Sequence, residues 1–190
     1  RVYSALTREY GNKKEVVQHF YHKDTSVPIW AIFEVLTLGE FGNFYSCLSY
    51  GVRREVSIKL GFHQPSDSDA FLTKKIIFAI KELRNAVAHN DVIFDTRFSR
   101  SSIDKSLSSS LEIVTGIKSI TFKSITDYVI LVVYLLKCFG VPKGDMRRFV
   151  AEFQDNIETL RKQIPTSLFA RIVLTDTRPK LKSLQEYIRK

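Results

Sequence analysis

The sequence predicts an all-α protein, and three observations support that fold class. Apolar residues recur at helical spacing in the long segment that ends near His89. Glycine and proline separate other segments of helical length, as in the stretch 140–144. Strand signals are weak, because an apolar run such as Ile93–Phe94 is too short for a strand.

Three short helices are predicted in the first third of the chain, over residues 29–36, 41–48 and 53–60. Pro28 suits the first turn of the first helix, and Gly39 is expected to end it. Gly61 is expected to end the third helix. The turn over residues 65–69 offers N-cap residues for the helix that follows.

The longest amphipathic helix is predicted from about Ala70 to His89, with an apolar stripe that comprises Ile76, Ile80, Leu83 and Val87. Further helices are predicted over residues 120–139, 145–163, 166–174 and 180–189. The most apolar stretch, Tyr128–Leu136, has about half of the roughly 18–20 residues that a membrane span requires. We therefore expect it to be a buried helix, and we expect no membrane partner.

Composition and a serine-rich segment indicate how the chain is divided into a core, a linker and further helices. Hydrophobic residues make up 44% of the sequence, which is enough for a sizeable core. Residues 99–110 are rich in serine, which favours a linker or surface loop. We therefore predict a helical core over residues 1–98, a linker over 99–110, and C-terminal helices over 111–190.

The net charge indicates the kind of partner, and the cysteines and histidines indicate the cellular setting and whether a metal site is expected. The formal net charge is +9, and such a basic excess favours nucleic acid or an anionic membrane surface. Cys47 and Cys138 lack the spacing of a disulfide framework or a zinc site, so we expect a reducing, cytoplasmic setting. The four histidines and two cysteines show no strong ligand spacing, and we expect no metal or other cofactor.

The end of the long helix carries the most informative polar residues. Arg84, Asn85 and His89 lie at about 0°, 100° and 140° around a helix axis, so they crowd one side. The apolar stripe points to the other side. Ala86 and Ala88 are small and would let another backbone or a ligand approach.

These residue types suit RNA cleavage by attack of the 2′-hydroxyl. That reaction needs a base for the hydroxyl proton, an acid for the leaving 5′-oxygen, and positive charge near the phosphorane-like transition state. Histidine, as at His89, suits proton transfer. Arg84 can donate paired hydrogen bonds to phosphate, and Asn85 can orient an imidazole or bind a phosphate oxygen. We therefore predict catalytic roles for these three residues, with no metal required.

The predicted site contains one histidine for each chain. Acid and base roles are met more easily by two histidines than by one. The pattern therefore predicts a symmetric homodimer with paired polar faces across a two-fold axis.

The same residues also fit a purely structural explanation. A histidine such as His89 near a helix C-terminus interacts favourably with the helix dipole. Asn90 could cap the helix in the left-handed conformation. Arg84 could form a surface ion pair with Glu82 or Asp91.

Two segments at a specific separation resemble a known family. The segment Leu83–Asn90 resembles an Arg-polar-x(3–5)-His motif. Pro28–Gly39 resembles the pattern Pro-x-Trp-x-x-x-Glu-x-Leu-Ser/Thr-x-Gly, which precedes a Leu-Arg-Asn-x-x-Ala-His segment at a similar separation. Together the two motifs resemble those of Abi-like (abortive-infection) proteins of the HEPN ribonuclease superfamily. The resemblance covers about residues 15–100, and later residues match only as further helices.

The resemblance implies a HEPN-like helical bundle that dimerises and cleaves RNA, with Arg84 and His89 as the catalytic pair and Asn85 at the polar position. It also implies a toxin of phage defence, and some members of the family are held by an RNA antitoxin. The chain departs from the family at Asn90, where a second histidine is frequent, and over 92–95, where Arg-Leu-Trp-Asn is frequent. Both departures concern local substrate contacts.

Additional basic and polar residues are candidates for RNA contacts: Lys74, Lys81, Asn90, Arg147 and Arg148. The two lysines precede the motif on the same helix and could attract phosphates, although a solvated helix face is the alternative. Three classes of function remain open on residues alone. They are an endoribonuclease, a non-catalytic RNA-binding regulator, and a protein-interaction module.

Overall fold

The computed structural model describes residues 2–94, 96, 98, 99 and 103–190. Over these residues the chain forms eleven helices and no strand, which confirms the all-α prediction. The helices are α1 (Val2–Gly11), α2 (Glu15–His22), α3 (Ile29–Val35), α4 (Leu38–Ser46), α5 (Tyr50–Lys59), α6 (Leu72–Ala88), α7 (Lys105–Thr115), α8 (Ile125–Cys138), α9 (Lys143–Gln163), α10 (Thr166–Ile172) and α11 (Thr177–Arg189).

The chain divides into two compact units, Arg1–Ser49 and Tyr50–Lys190. The first unit contains α1–α4, with α1 packed against α2 and α3. Its small apolar core is formed by Leu6, Val17 and Val35. Because this core is small, polar contacts at the helix ends contribute a relatively large share of the stability of this unit.

The start of α4 corrects one prediction. Gly39 was expected to end a helix, but it lies inside the first turn of α4. The reason is a capping box: the backbone N–H of Glu40 donates to Thr37 Oγ1 at 3.2 Å, and Thr37 N–H donates to the Glu40 carboxylate at 2.8 Å. These two bonds start a new helix at the position where glycine alone suggested an end.

The second unit is built around α8. Tyr128, Ile130, Leu131 and Val133 of this helix are completely buried, and α6, α7, α9 and α11 all pack against it. The prediction of a buried helix at this apolar stretch is therefore confirmed. No helix among the described residues is both long and apolar enough to cross a bilayer.

The serine-rich segment differs from its prediction. Residues from Lys105 onwards form α7, although a linker was predicted over 99–110. Asp104 caps this helix by accepting a hydrogen bond from Ser106 N–H at 2.8 Å, and Leu107 and Leu111 are buried. The many serines favoured a linker, but the leucines of this segment recur at i and i+4, which is the spacing of an amphipathic helix. Residues 100–102 of the segment lie outside the described residues.

A buried ion pair joins α8 to α11 inside the second unit. Lys180 Nζ lies 2.7 Å from Asp127 Oδ1 and 2.8 Å from Asp176 Oδ2, and both Asp127 and Lys180 are almost fully buried. Burial opposes the charged amine, but hydrogen bonds to the two carboxylates outweigh it and raise the pKa of Lys180. The second oxygen of Asp127 accepts the backbone N–H groups of Thr121 and Phe122, each at 2.9 Å. The charges of the pair are therefore well satisfied, and the pair links α8 to α11.

Candidate functional site

The candidate site lies at the C-terminal end of α6, in the second unit. The start of this helix is fixed by Asp67, whose carboxylate accepts the N–H groups of Phe71 and Leu72 at 3.1 Å. Burial raises the pKa of Asp67, while these backbone hydrogen bonds oppose the rise. The helix then presents a buried face that comprises Leu72, Ile76, Ala79 and Ala86. One side of α6 is therefore held by the core along its whole length.

The last turn of α6 ends in a Schellman motif. The N–H of Asp91 donates to the carbonyl of Ala86 at 2.8 Å, and the N–H of Asn90 donates to the carbonyl of Val87 at 3.2 Å. Asn90 is left-handed, with φ of 54°, as the capping interpretation predicted. His89 is the C-cap residue itself, and its N–H donates to the carbonyl of Asn85 at 2.9 Å.

Two predictions about this turn are wrong. Val87 was assigned to the apolar stripe, but its side chain is 60% exposed. Ala86 was expected to leave space for a ligand, but it is 3% exposed and packs in the core. The buried face is centred between Leu83 and Ala86, so Val87 falls at its edge, where the helix is ending. Ala88 is exposed, as predicted.

The three predicted catalytic side chains are accessible from solvent. Arg84 and His89 are exposed, and Asn85 is half-buried. Arg84 Nη1 donates to Asn85 Oδ1 at 3.1 Å, so the guanidinium and the amide are in contact within one chain. The structure brings these two together, and His89 lies one turn after Asn85 along the chain, at the C-cap of α6.

The surface ion pairs proposed for Arg84 are not found among the described residues. Glu82 instead binds Lys81, with Nζ and Oε1 2.9 Å apart. Neither Glu82 nor Asp91 forms an ion pair with Arg84. The guanidinium is therefore available for an anion from outside the chain, at the cost of one hydrogen bond to an amide.

The other predicted RNA-contact residues fall into two groups. Lys74 and Lys81 lie on the same side of α6 as Asn85, and both are half-buried. Arg147 and Arg148 are exposed on α9, where Arg148 binds Asp145 at 2.8 Å. The first pair extends the candidate site along its own helix, and the second pair belongs to a different helix.

Aromatic residues beside the lysines were missed. Phe71 and Phe78 lie under cationic side chains: Arg53 Cζ is 4.1 Å from the centre of the Phe71 ring, and Lys81 Nζ is 5.4 Å from that of Phe78. The signal was present in the sequence, because these rings recur at helical spacing with Lys74 and Asn85.

No group of three or more histidine, cysteine, aspartate or glutamate side chains is arranged to hold a metal ion within the described part of the chain. The groups available at the end of α6 are an imidazole, a guanidinium and an amide. They can transfer protons and bind phosphate oxygens.

Comparison with known proteins gives one match. The family described as "Abi-like protein" matches residues 1–95, which span α1–α6 and include both motifs and the candidate site. No curated protein and no solved structure matches the chain. Because the match covers half of the 190 residues, the chain belongs to the Abi-like protein family.

Proposed function

We propose that this protein is a HEPN-type, metal-independent endoribonuclease that acts in abortive infection, with Arg84, Asn85 and His89 at its active site. Membership of the Abi-like family suggests the role in abortive infection. The observation that carries the ribonuclease proposal is the end of α6, where an exposed guanidinium contacts a half-buried amide and an exposed histidine follows one turn later. An arginine that forms no ion pair with the neighbouring carboxylates is suited to a phosphate.

The proposed reaction follows from these groups. A base removes the proton of a ribose 2′-hydroxyl, and the oxygen attacks the adjacent phosphorus. The bond from phosphorus to the 5′-oxygen breaks, and an acid protonates that oxygen. The products are a 2′,3′-cyclic phosphate and a 5′-hydroxyl end. His89 supplies proton transfer, and Arg84 stabilises the negative charge on the phosphoryl oxygens.

Asn85 acts on Arg84 in this proposal. Its Oδ1 accepts the hydrogen bond from Nη1 of the guanidinium, which orients the remaining donors of Arg84. Its amide nitrogen remains to donate to a phosphate oxygen. The amide therefore both positions the cation and adds a neutral donor.

A homodimer completes the site. One chain contributes one imidazole at the end of α6, whereas the reaction uses an acid and a base. Two copies related by a two-fold axis would place two such helix ends opposite each other. A structured RNA antitoxin would bind the same cationic surface and compete with the substrate.

The test is cleavage of a single-stranded RNA by purified protein in the presence of EDTA. We expect 2′,3′-cyclic phosphate ends from the parent protein. Arg84→Ala and His89→Ala are each expected to reduce the rate by at least about a hundredfold, because charge stabilisation and general acid–base catalysis are each typically worth that factor.

Matched control variants change the same residue types elsewhere. Arg54→Ala removes an exposed arginine of α5, and His22→Ala removes an exposed histidine at the end of α2. Both should cleave like the parent. Undiminished cleavage by Arg84→Ala and His89→Ala would show that the site is wrong. RNA binding without any cleavage would favour a non-catalytic RNA-binding regulator.

A further inference from the structure

We propose that a row of cationic and aromatic side chains along α6 binds single-stranded RNA and leads it to the candidate site. This inference rests on the ribonuclease function proposed above, and it names the form of RNA that the site accepts. The row, called here the cation–aromatic row, comprises Arg53, Phe71, Lys74, Phe78 and Lys81.

The row is aligned with the candidate site. At about 100° per residue, six side chains fall within about 80° around the α6 axis. They are Phe71, Lys74, Phe78, Lys81, Asn85 and His89. At about 1.5 Å per residue they extend over about 27 Å, which is enough for several nucleotides. The row therefore ends at the proposed catalytic residues.

Cations and rings alternate along the row and lie within cation–π distance of each other. Arg53 Cζ lies 4.1 Å from the centre of the Phe71 ring. Lys74 Nζ lies 5.4 Å from the centre of Phe71 and 6.0 Å from that of Phe78. Lys81 Nζ lies 5.4 Å from the centre of Phe78. Each ring is therefore covered by at least one cation within the distance of a cation–π contact.

The two rings are not needed to fill the core. Phe71 and Phe78 are half-buried, and neither belongs to the apolar cluster that α6 helps to form. By contrast, Phe62, Phe98 and Phe122 are buried members of that cluster. The rings of the row thus lie outside that cluster, and cationic side chains lie over them.

This chemistry fits a single strand better than a duplex. Lysine can turn from a ring face to a phosphate, because its stem is long and flexible. The ring face that is released can stack with an unpaired base. A duplex offers phosphates but keeps its bases stacked inside, so it can use the cations and not the rings.

The experiment measures binding in a His89→Ala background, so that RNA remains intact during the measurement. The probes are a fluorescein-labelled oligouridylate and a blunt RNA duplex of the same length, both followed by fluorescence anisotropy. Phe71→Leu and Phe78→Leu keep apolar bulk and remove the ring. Phe78→Tyr keeps the ring, and Phe139→Leu changes an exposed phenylalanine outside the row.

We expect each leucine variant to bind the single strand about five- to hundredfold more weakly, since base stacking on one ring is typically worth that factor. Binding of the duplex should be unchanged. Phe78→Tyr and Phe139→Leu should bind both probes as the background does. Circular dichroism melting establishes that each variant is folded.

Three results would overturn the row. They are single-strand binding by the leucine variants equal to that of Phe139→Leu, an equal loss of binding for duplex and single strand, and a loss in Phe78→Tyr as large as in Phe78→Leu.

Cleavage separates this inference from the proposed function. If the protein cuts RNA and the leucine variants cut it with unchanged KM, the row alone fails. If the protein never cuts RNA but the leucine variants lose single-strand binding, the row stands and the ribonuclease proposal fails.

Discussion

Glu40 shows how much a single side chain does in the small first unit. Its carboxylate caps α4 and also binds Arg8, with Nη1 and Oε1 2.7 Å apart. The hydrogen bond from Arg8 is the main reason that the pKa of Glu40 is lowered from 4.5 to about 2, and the capping bonds from Thr37 add to it. The folded chain therefore favours the charged form of this side chain.

A pH-dependent loss of stability follows from that lowered pKa. A carboxylate whose pKa is depressed by folding stabilises the fold above its unfolded pKa. The stabilisation is lost as the pH falls towards the folded value. We expect Glu40→Gln to melt at a lower temperature than the parent at neutral pH. We expect this difference to shrink as the pH falls from about 4.5 to about 2.

Thermal unfolding followed by circular dichroism over this pH range measures the effect. Glu34→Gln is the matched control, because its carboxylate is half-exposed and lies 3.9 Å from Lys14 without capping a helix. A difference between Glu40→Gln and the parent that persists undiminished at the acidic end would contradict the prediction.

Single residues were predictable where chemistry and periodicity agreed. The exposure of Arg84 and His89 on one side of α6 follows from their spacing, and the left-handed Asn90 follows from its place after the last turn. The exposure of Val87 did not follow, because the position of the buried face depends on which neighbouring helices reach the end of α6. That information is tertiary and is absent from a local pattern.

At the scale of the element, the end of α6 has two requirements that Asn90 meets together. The backbone must be left-handed there for the Schellman motif to close. The side chain is also a candidate for RNA contact. Glycine and alanine separate these two requirements, because glycine adopts positive φ without strain and alanine does not.

We expect Asn90→Ala to lower the free energy of unfolding by about 1 kcal/mol, the usual cost of a left-handed residue with a Cβ atom. Asn90→Gly should keep or slightly raise that free energy. Urea denaturation measures both. Equal stability of the two variants would contradict the assignment of Asn90 as a capping residue.

The cleavage rate of Asn90→Gly then tests the side chain alone. A folded, capped variant that cleaves more slowly would assign Asn90 a contact with RNA. Unchanged cleavage would leave it a capping role only.

Helices were predictable where apolar residues were regular and were missed where polar residues dominated. Over the second half of the chain, α8–α11 were predicted to within a few residues. Helices α1 and α2 were not predicted, since their sequences are polar and mixed, and α7 was hidden among serines. The failure at Gly39 has a different cause, because two side-chain capping bonds outweighed the usual preference of glycine for a helix end.

At the scale of the whole molecule, the proposed homodimer can be tested by mixing parent and variant chains. If each active site combines groups from two chains, a chain that lacks a catalytic side chain lowers the activity of the chain with which it pairs. Adding His89→Ala protein in excess should then lower the activity of the parent chain below that of the same amount of parent protein alone. Exchange into mixed dimers lowers the fraction of parent chains that are paired with another parent chain, and this fraction falls further as the excess grows.

The measurement is the initial cleavage rate after the two proteins have been incubated together long enough to exchange. Excess His22→Ala, whose change lies outside the site, should leave the rate no lower than that of the parent alone. A rate that is unaffected by excess His89→Ala would indicate that each chain acts by itself. Sedimentation over a range of concentrations shows whether dimers are present.

The fold class of the whole molecule was predictable from the sequence, but its long-range contacts were not. Helical content and a buried central helix follow from apolar content and periodicity. The ion pair of Asp127 with Lys180 does not, because nothing local in the sequence predicts that a lysine of α11 will be enclosed. The extent of the two compact units also depends on contacts distant along the chain.

The Schellman motif at the end of α6 has a consequence for how this protein responds to temperature. The imidazole of His89 belongs to the residue at which the helix stops, and its backbone is held by a few hydrogen bonds of the final turn. Terminal turns open by local fraying, at a far lower free energy than unfolding of the core. Heating should therefore abolish the proposed cleavage before the protein melts, and amide hydrogens of Asn90 and Asp91 should exchange in step with that loss.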